Sequence, residues 1–291
     1  MTDAILKILI SGLLNGSIYA MAAMGLSLQY GVARVLNIAH GEFIMLGALI
    51  TWTLYVSFGI NPLLSVAISG PLFFVIGFVI YRTLFTGLKN RAPSPAVFEG
   101  NSLLVAFGIM FLIQNIAILR WGALPKSYAY LDKAVVVAGM AFRTNRLIAL
   151  AIAVGVGVIF YLFLTRSRPG KAIRAAAEDP GTAGLMGINI NRVLPLCFGL
   201  GVFLAGLAGL LISMCYPSNT PFMGMGYTII ALIVVVVGGL GSIAGSFIGG
   251  LILGLFGSLV SKWDISLVLV AFYGVFMLLL LIRPAGIFGK R

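Results

Sequence analysis

The chain predicts an all-α polytopic integral membrane protein with about 8–9 transmembrane helices, and three observations carry that prediction. Hydrophobic residues occupy 61% of the 291 positions. Charged residues occupy 9%, against about 25% in soluble domains, so a water-soluble protein of this size would lack the polar surface to cover itself. Apolar runs of roughly 20 residues recur, the length that a hydrocarbon core of about 30 Å demands of a helix. Polar and apolar residues alternate little within these runs, so helices are expected and not a β-barrel.

Taken in order, the runs fall at Ile5–Tyr30, Ile38–Val56, Pro62–Tyr81, Ser102–Leu119, Leu147–Leu164, Val193–Cys215, Met225–Val260 and Ile265–Ile282. The first has too long an apolar run for a signal peptide and reads as a retained helix. Met225–Val260 is too long for one ordinary span and short for two. The stretch "GGLGS" at Gly238–Ser242 breaks it into a short helix and a second span. That gives nine crossings, or eight if the short piece is re-entrant. Glycine is abundant, at 37 residues, and small residues recur four apart at Ala205/Gly209, Gly245/Gly249 and Gly250/Gly254. In lipid such pairs let helix backbones approach closely.

Basic residues set the expected orientation, because lysine and arginine concentrate on the cytoplasmic side. With nine crossings and the N-terminus outside, twelve of the 19 lie on inner segments, ending with Arg283, Lys290 and Arg291. Five of the remainder fall in the outer segment Arg120–Arg146. The net charge of +12 therefore belongs to membrane topology and does not call for a nucleic-acid partner. The whole chain, 1–291, reads as a single transmembrane domain whose longest inner loop covers about 165–192.

Several chemistries have no residues to carry them. No G-x-x-x-x-G-K-[ST] phosphate loop occurs, so this chain is not itself a P-loop ATPase. One histidine and the two separated cysteines, Cys197 and Cys215, do not make a protein-only zinc site or a disulfide framework. No metal and no cofactor of its own is expected.

Two stretches stand out. The first is "LNIAHGEF", Leu36–Phe43, which gathers Asn37, the single histidine His40 and Glu42 at the start of a span. An ionisable group inside a bilayer costs about 2.5–3.5 kcal/mol, so such residues pair or carry function. One reading is structural: Asn37 caps the following helix, and Glu42 in its first turns gains from the helix dipole. The other is functional: Asn37, His40 and Glu42 face the bundle interior beside a translocation path. Asn15, Ser17 and Tyr19 on the first span and Gln114 and Asn115 on a later one are then their expected polar partners. The second stretch is the loop "TRSRPGKAIRAAAEDPGTAGLMGININRV", Thr165–Val193. Its strong helix formers predict a short amphipathic helix on the inner face, over Arg174–Gly187. It is suited to docking onto another protein.

"GLLNGSIYAMAAMGLSLQYGVARVLNIAHGEFIMLGA", Gly12–Ala48, resembles the opening signature of the LivH-type permeases of branched-chain amino acid ABC importers. The inner loop, "VVVVGGLGSIAGSFIGGLI" and the terminal "RPAGIFG" are similar to the same family, so the resemblance covers nearly the whole chain. It implies an ABC importer permease fold, in the bacterial cytoplasmic (inner) membrane. It also implies a second LivM-type permease subunit, two cytoplasmic ATPases that hold the ATP-Mg, and a periplasmic substrate-binding protein. In the inner loop, Ala175–Ala177 with Gly181 loosely follow the family's ATPase-coupling motif, and Val193-Leu194-Pro195 follows its later element. That resemblance assigns coupling to Arg174, Ala176, Glu178, Asp179, Gly181, Leu185 and Gly187. Relatives also carry urea, short amides and aromatic acids, so it leaves the substrate open. The competing reading is an ion-coupled secondary transporter or channel, with His40 and Glu42 as a proton relay.

Overall fold

The computed structural model describes residues 2–137, 139–283 and 286–288. The apolar runs appear as helices, most of them extended past the oily stretch at one or both ends. They are α1 (Thr2–Ala33), α2 (His40–Phe58), α3 (Val66–Ile80) and α5 (Pro95–Trp121), then α6 (Thr144–Arg166), α9 (Ile190–Cys215), α10 (Gly224–Gly238), α11 (Ile243–Val260) and α12 (Leu267–Ile282). A five-residue π-helical stretch, Tyr81–Phe85, joins α3 to the short α4 (Thr86–Arg91). Seven of the described helices, α4 counted with α3, are long and apolar enough to cross a membrane, and α10 and α12 are shorter apolar helices. The protein is a multi-pass helical membrane protein. Lys290 and Arg291, two of the inner cations in the charge argument, lie outside the described residues.

Local chemistry explains where several helices begin. Ser94 precedes Pro95 at the start of α5, and its hydroxyl accepts the Val97 N–H at 3.3 Å, the usual pairing of a capping oxygen with proline in the first turn. Ser242 does the same for α11, accepting the Gly245 N–H at 3.1 Å. Just before it, Gly239 and Gly241 hold φ of 101° and 83°, which side chains disfavour. The break expected at Gly238–Ser242 is therefore present, and it separates α10 from α11.

The core is built around α9, which is buried along most of its length and packs on α1, α2 and α3. Small residues make the contacts. Gly201 lies against Gly25 and Gln29, Gly206 against Phe73, and Gly209 against the Ile44 carbonyl. On another side, Gly250 and Gly254 of α11 meet Ala20 and Gly16 of α1, and Gly245 meets Gly238. The glycines of all three small-residue pairs thus sit at helix contacts. Gly209→Ala puts a methyl group into the Ile44 carbonyl and should cost about 1–3 kcal/mol through overpacking. Gly108→Ala on α5, where an added Cβ meets nothing within 4 Å, should be neutral or slightly stabilising. Thermal melts of the two detergent-solubilised variants test the contrast; equal melting temperatures would contradict it.

The segment between α5 and α6 contains a feature the helical reading did not include, a hairpin of β1 (Ala134–Val137) and β2 (Met140–Arg143). Gly139 turns it with φ 81°, and Arg143 pairs with Asp132 beside its base at 3.1 Å. The same segment is tied to the loop between α9 and α10, where Lys126 and Asn219 exchange backbone hydrogen bonds of 2.9 and 3.0 Å.

Candidate functional site

Depth along α1 organises the site. Lys7 and Arg34 mark its two ends, roughly 40 Å apart at about 1.5 Å per residue, so its middle lies near Ala20. Arg34 ends α1 in a left-handed conformation, φ 53°, with its N–H on the Tyr30 carbonyl at 3.1 Å. The chain does not start α2 there. Residues 34–39 climb back along α1, and His40, the first residue of α2, bonds through Nε2 to the Ala22 carbonyl at 2.9 Å. The helix α2 therefore begins beside the middle of α1 and not at its Arg34 end.

The helix α10 begins at the same depth from the other direction. Its first residue, Gly224, packs directly against Gly41, and it runs toward the Arg34 end, where Gly241 of the next loop touches Gly31 of α1. Two helix N-termini thus meet beside the middle of α1. Thr228 of α10 stitches them. Its hydroxyl accepts the Gly41 N–H at 2.8 Å and donates to the Ile38 carbonyl at 2.9 Å.

This arrangement corrects the expected role of Asn37. Ala39 occupies the N-cap position of α2, with no side-chain cap. Asn37 instead lies in the turn before the helix. Its Nδ2 donates to Gln29 Oε1 at 3.0 Å, and Gln29 Nε2 donates to the Phe198 carbonyl at 3.4 Å. The cap is Thr228, 187 residues from Gly41. No local pattern in the sequence could have named it.

Glu42 is fully buried, at 0% exposure. Neither carboxylate oxygen has a hydrogen-bond partner among the described residues. The carboxylate packs on Gly224, close enough that a side chain there would collide with it. It therefore lies at the positive end of α10, where unpaired N–H groups and the helix dipole favour an anion. The dipole belongs to a helix from the far end of the chain and adds to that of Glu42's own helix. No hydrogen bond joins His40 to Glu42: the imidazole holds Ala22, and its Nδ1 has no partner among the described residues. A relay between them has no connecting bond in this conformation.

The other expected partners divide. Ser17 is buried but donates to Leu14 of its own helix at 2.9 Å. Asn15 accepts from the Tyr216 hydroxyl at 2.8 Å. Tyr19 lines a half-open cavity of about 220 Å³ with Tyr216, Met223, Gly226, Tyr227 and Ile230, beside the start of α10. Tyr216 and Tyr227 were not foreseen. Gln114 and Asn115 do not join the cluster: they lie on α5, and among the described residues the exposed Asn115 side chain bonds its own helix, at the Phe111 carbonyl, 2.8 Å. The reason is topological, since α5 packs on α2 and α4.

The inner loop also differs from expectation. The helix expected over Arg174–Gly187 is two helices, α7 (Arg168–Glu178) and α8 (Pro180–Leu185), broken at Asp179. Asp179 caps α8: one carboxylate oxygen accepts the Gly181 N–H at 2.8 Å and the other accepts the Thr182 hydroxyl. These bonds, Thr182's first, hold its carboxyl below the usual range. Ile173 and Ala176 are buried, so Ala176 anchors α7 to the bundle and is not part of a docking face. Arg174, Glu178, Asp179 and Gly181 are exposed. Leu185 and Met186 are 89% and 80% exposed, and Gly187 comes next at φ 84°. The tip of this loop thus presents two adjacent exposed apolar side chains. Among the described residues no group of three or more His, Cys, Asp or Glu could hold a metal.

Known proteins fit this architecture. The family described as "Branched-chain amino acid transport system / permease component" matches residues 8–283. The chain is 35% identical to the high-affinity branched-chain amino acid transport system permease protein BraD of Pseudomonas aeruginosa, over 98% of this chain and 96% of that one. It is 32% identical to the corresponding LivH of Escherichia coli K12, over the same shares. PsaBC of Streptococcus pneumoniae, solved in complex with a Fab, shares the fold with a TM-score of 0.53 at 12% identity, over 99% of this chain and 98% of that chain. The chain belongs to the family of branched-chain amino acid transport permease components.

Proposed function

We propose that this chain is the membrane-spanning subunit through which branched-chain amino acids pass inward across the bacterial inner membrane. The supporting observation is the junction of α2 and α10, which lies beside the middle of α1 and next to the cavity of Tyr19, Tyr216 and Tyr227. Transporters commonly place substrate sites near the midplane, beside helices that begin within the bilayer. The cavity is smaller than the ~300–1,000 Å³ of drug-sized ligand sites and is lined by aromatic and apolar groups with a few hydroxyls. That composition suits a small amphipathic solute. Asn15, Tyr19, Asn37, His40 and Glu42 shape the gate, with His40 and Glu42 holding helix starts and not binding the substrate side chain.

Energy comes from elsewhere. The exposed tip at Leu185–Gly187, presented by α7 and α8, docks one of two cytoplasmic ATPases, which bind the ATP-Mg. A second permease subunit of LivM type completes the path, and a periplasmic binding protein delivers substrate. Reconstitution into liposomes with those partners should give leucine uptake that requires ATP inside. Uptake by this chain alone, driven by a proton or sodium gradient, would overturn the proposal in favour of an ion-coupled carrier.

A further inference from the structure

Helices α1 and α11 enclose a second cavity at the end of the bundle opposite Arg34. It has a volume of about 340 Å³ and is lined by Lys7, Ile8, Ser11, Ser258, Ser261 and Lys262. Lys7 and Ser11 lie four residues apart on one face of α1, Ser258 is in the last turn of α11, and Ser261 and Lys262 follow in the turn after it. The wall is fixed, because the Ser258 hydroxyl donates to the Ile8 carbonyl at 2.9 Å and Ser261 donates to the Ser258 carbonyl at 2.9 Å. Ser11 makes no hydrogen bond among the described residues and is free to donate.

Neither lysine has a carboxylate partner within 4.0 Å among the described residues. The nearby Asp264 already accepts the Ser266 N–H at 2.8 Å. Trp263 is 75% exposed beside Lys262, and tryptophan at a helix end marks the headgroup level of a bilayer. Two ammonium groups with no carboxylate partner among the described residues, together with a hydroxyl and a cavity, can hold one anion.

We propose that this cavity binds the phosphate of an anionic phospholipid headgroup, clamped between Lys7 and Lys262 with the Ser11 hydroxyl donating to it. The lipid's acyl chains then lie along the exposed apolar faces of α1 and α11, including Leu9 and Leu259.

Native mass spectrometry of the purified protein in micelles doped with phosphatidylglycerol or phosphatidylcholine tests this. The wild type should retain phosphatidylglycerol preferentially. Lys7→Gln with Lys262→Gln should weaken that retention roughly 30-fold, about fivefold for each lysine. Lys7→Arg with Lys262→Arg should preserve it, and Lys133→Gln, on an exposed loop, should leave it unchanged. Equal retention of both lipids by the wild type would overturn the proposal, and so would undiminished phosphatidylglycerol binding by the double glutamine variant. Inorganic phosphate at matched concentration should not displace the lipid. Displacement by phosphate would show a free-anion site and reject the lipid as its ligand. If the glutamine variant does not fold, the folded arginine variant and Ser11→Ala decide: the arginine variant must keep the preference and Ser11→Ala must weaken it, and either opposite result rejects the clamp.

Discussion

Glu42→Ala should lower both the melting temperature and substrate uptake, while Glu42→Gln keeps the fold and has the milder effect. Alanine removes the volume that fills the space against Gly224 and also the carboxyl group at the start of α10. Glutamine keeps the volume and exchanges only the carboxyl group. Loss of an interaction with a helix N-terminus costs about 1 kcal/mol. A large-to-alanine change in a packed interior adds a cavity cost of about 2–5 kcal/mol. Gly224→Ala reaches the same junction from the other side, because its methyl group displaces the carboxylate. It should therefore resemble Glu42→Ala, and the two should be non-additive: once residue 42 is small, the methyl group at 224 has room. Coupling between touching residues runs at about 0.5–3 kcal/mol. Melting temperatures of the two single variants and the double variant measure it. Strict additivity, or wild-type uptake by the Glu42→Ala protein, would remove Glu42 from the gate.

The second large effect concerns the inner loop. Leu185→Asp with Met186→Asp should leave insertion and melting temperature near the wild type, because both side chains are exposed. The same change should uncouple transport, with uptake and substrate-stimulated hydrolysis by the assembled complex falling together by at least roughly 30-fold. That corresponds to losing a central interface contact of about 2 kcal/mol. Ala176→Asp provides the contrast. That residue is buried, so a carboxylate there should destabilise the protein itself. If the Leu185/Met186 variant transports normally with normal hydrolysis, the ATPase docks elsewhere.

The cap at Asp179 shows why one helix is expected where there are two. The run of alanines before it favours helix, and so do Ala183, Leu185 and Met186 after it. Yet a carboxylate succeeded by Pro180 and Gly181 is also a helix start, with Asp179 accepting Gly181 N–H. Propensity summed along the chain cannot see that a terminus lies inside it. The hairpin at Ala134–Arg143 escapes the sequence for a related reason. Val135–Val137 are β-branched and suit a strand, but in a chain of apolar helices the composition hides so short a segment.

Composition determined that this protein lives in a membrane, where the backbone is satisfied only within helices or a closed barrel, and the lack of polar/apolar alternation in its apolar runs selected helices. Small residues at four-residue spacing marked the contacts of α9 and α11, since backbone approach is a local demand on side-chain size. The glycines at 239 and 241 marked the break before α11, because positive φ is a local demand too. The resemblance carried by Gly12–Ala48 and the inner loop named the family. Tertiary structure alone decided that α2 starts beside the middle of α1, against Ala22, and that Thr228 caps it. It also decided that Glu42 faces Gly224 and that Tyr216 and Tyr227 join Tyr19 while Gln114 and Asn115 do not. Each of these depends on which distant segment lies at the same depth in the bundle. Depth and facing come from how helices pack across nearly 200 residues of chain, and no periodicity within a single helix encodes that.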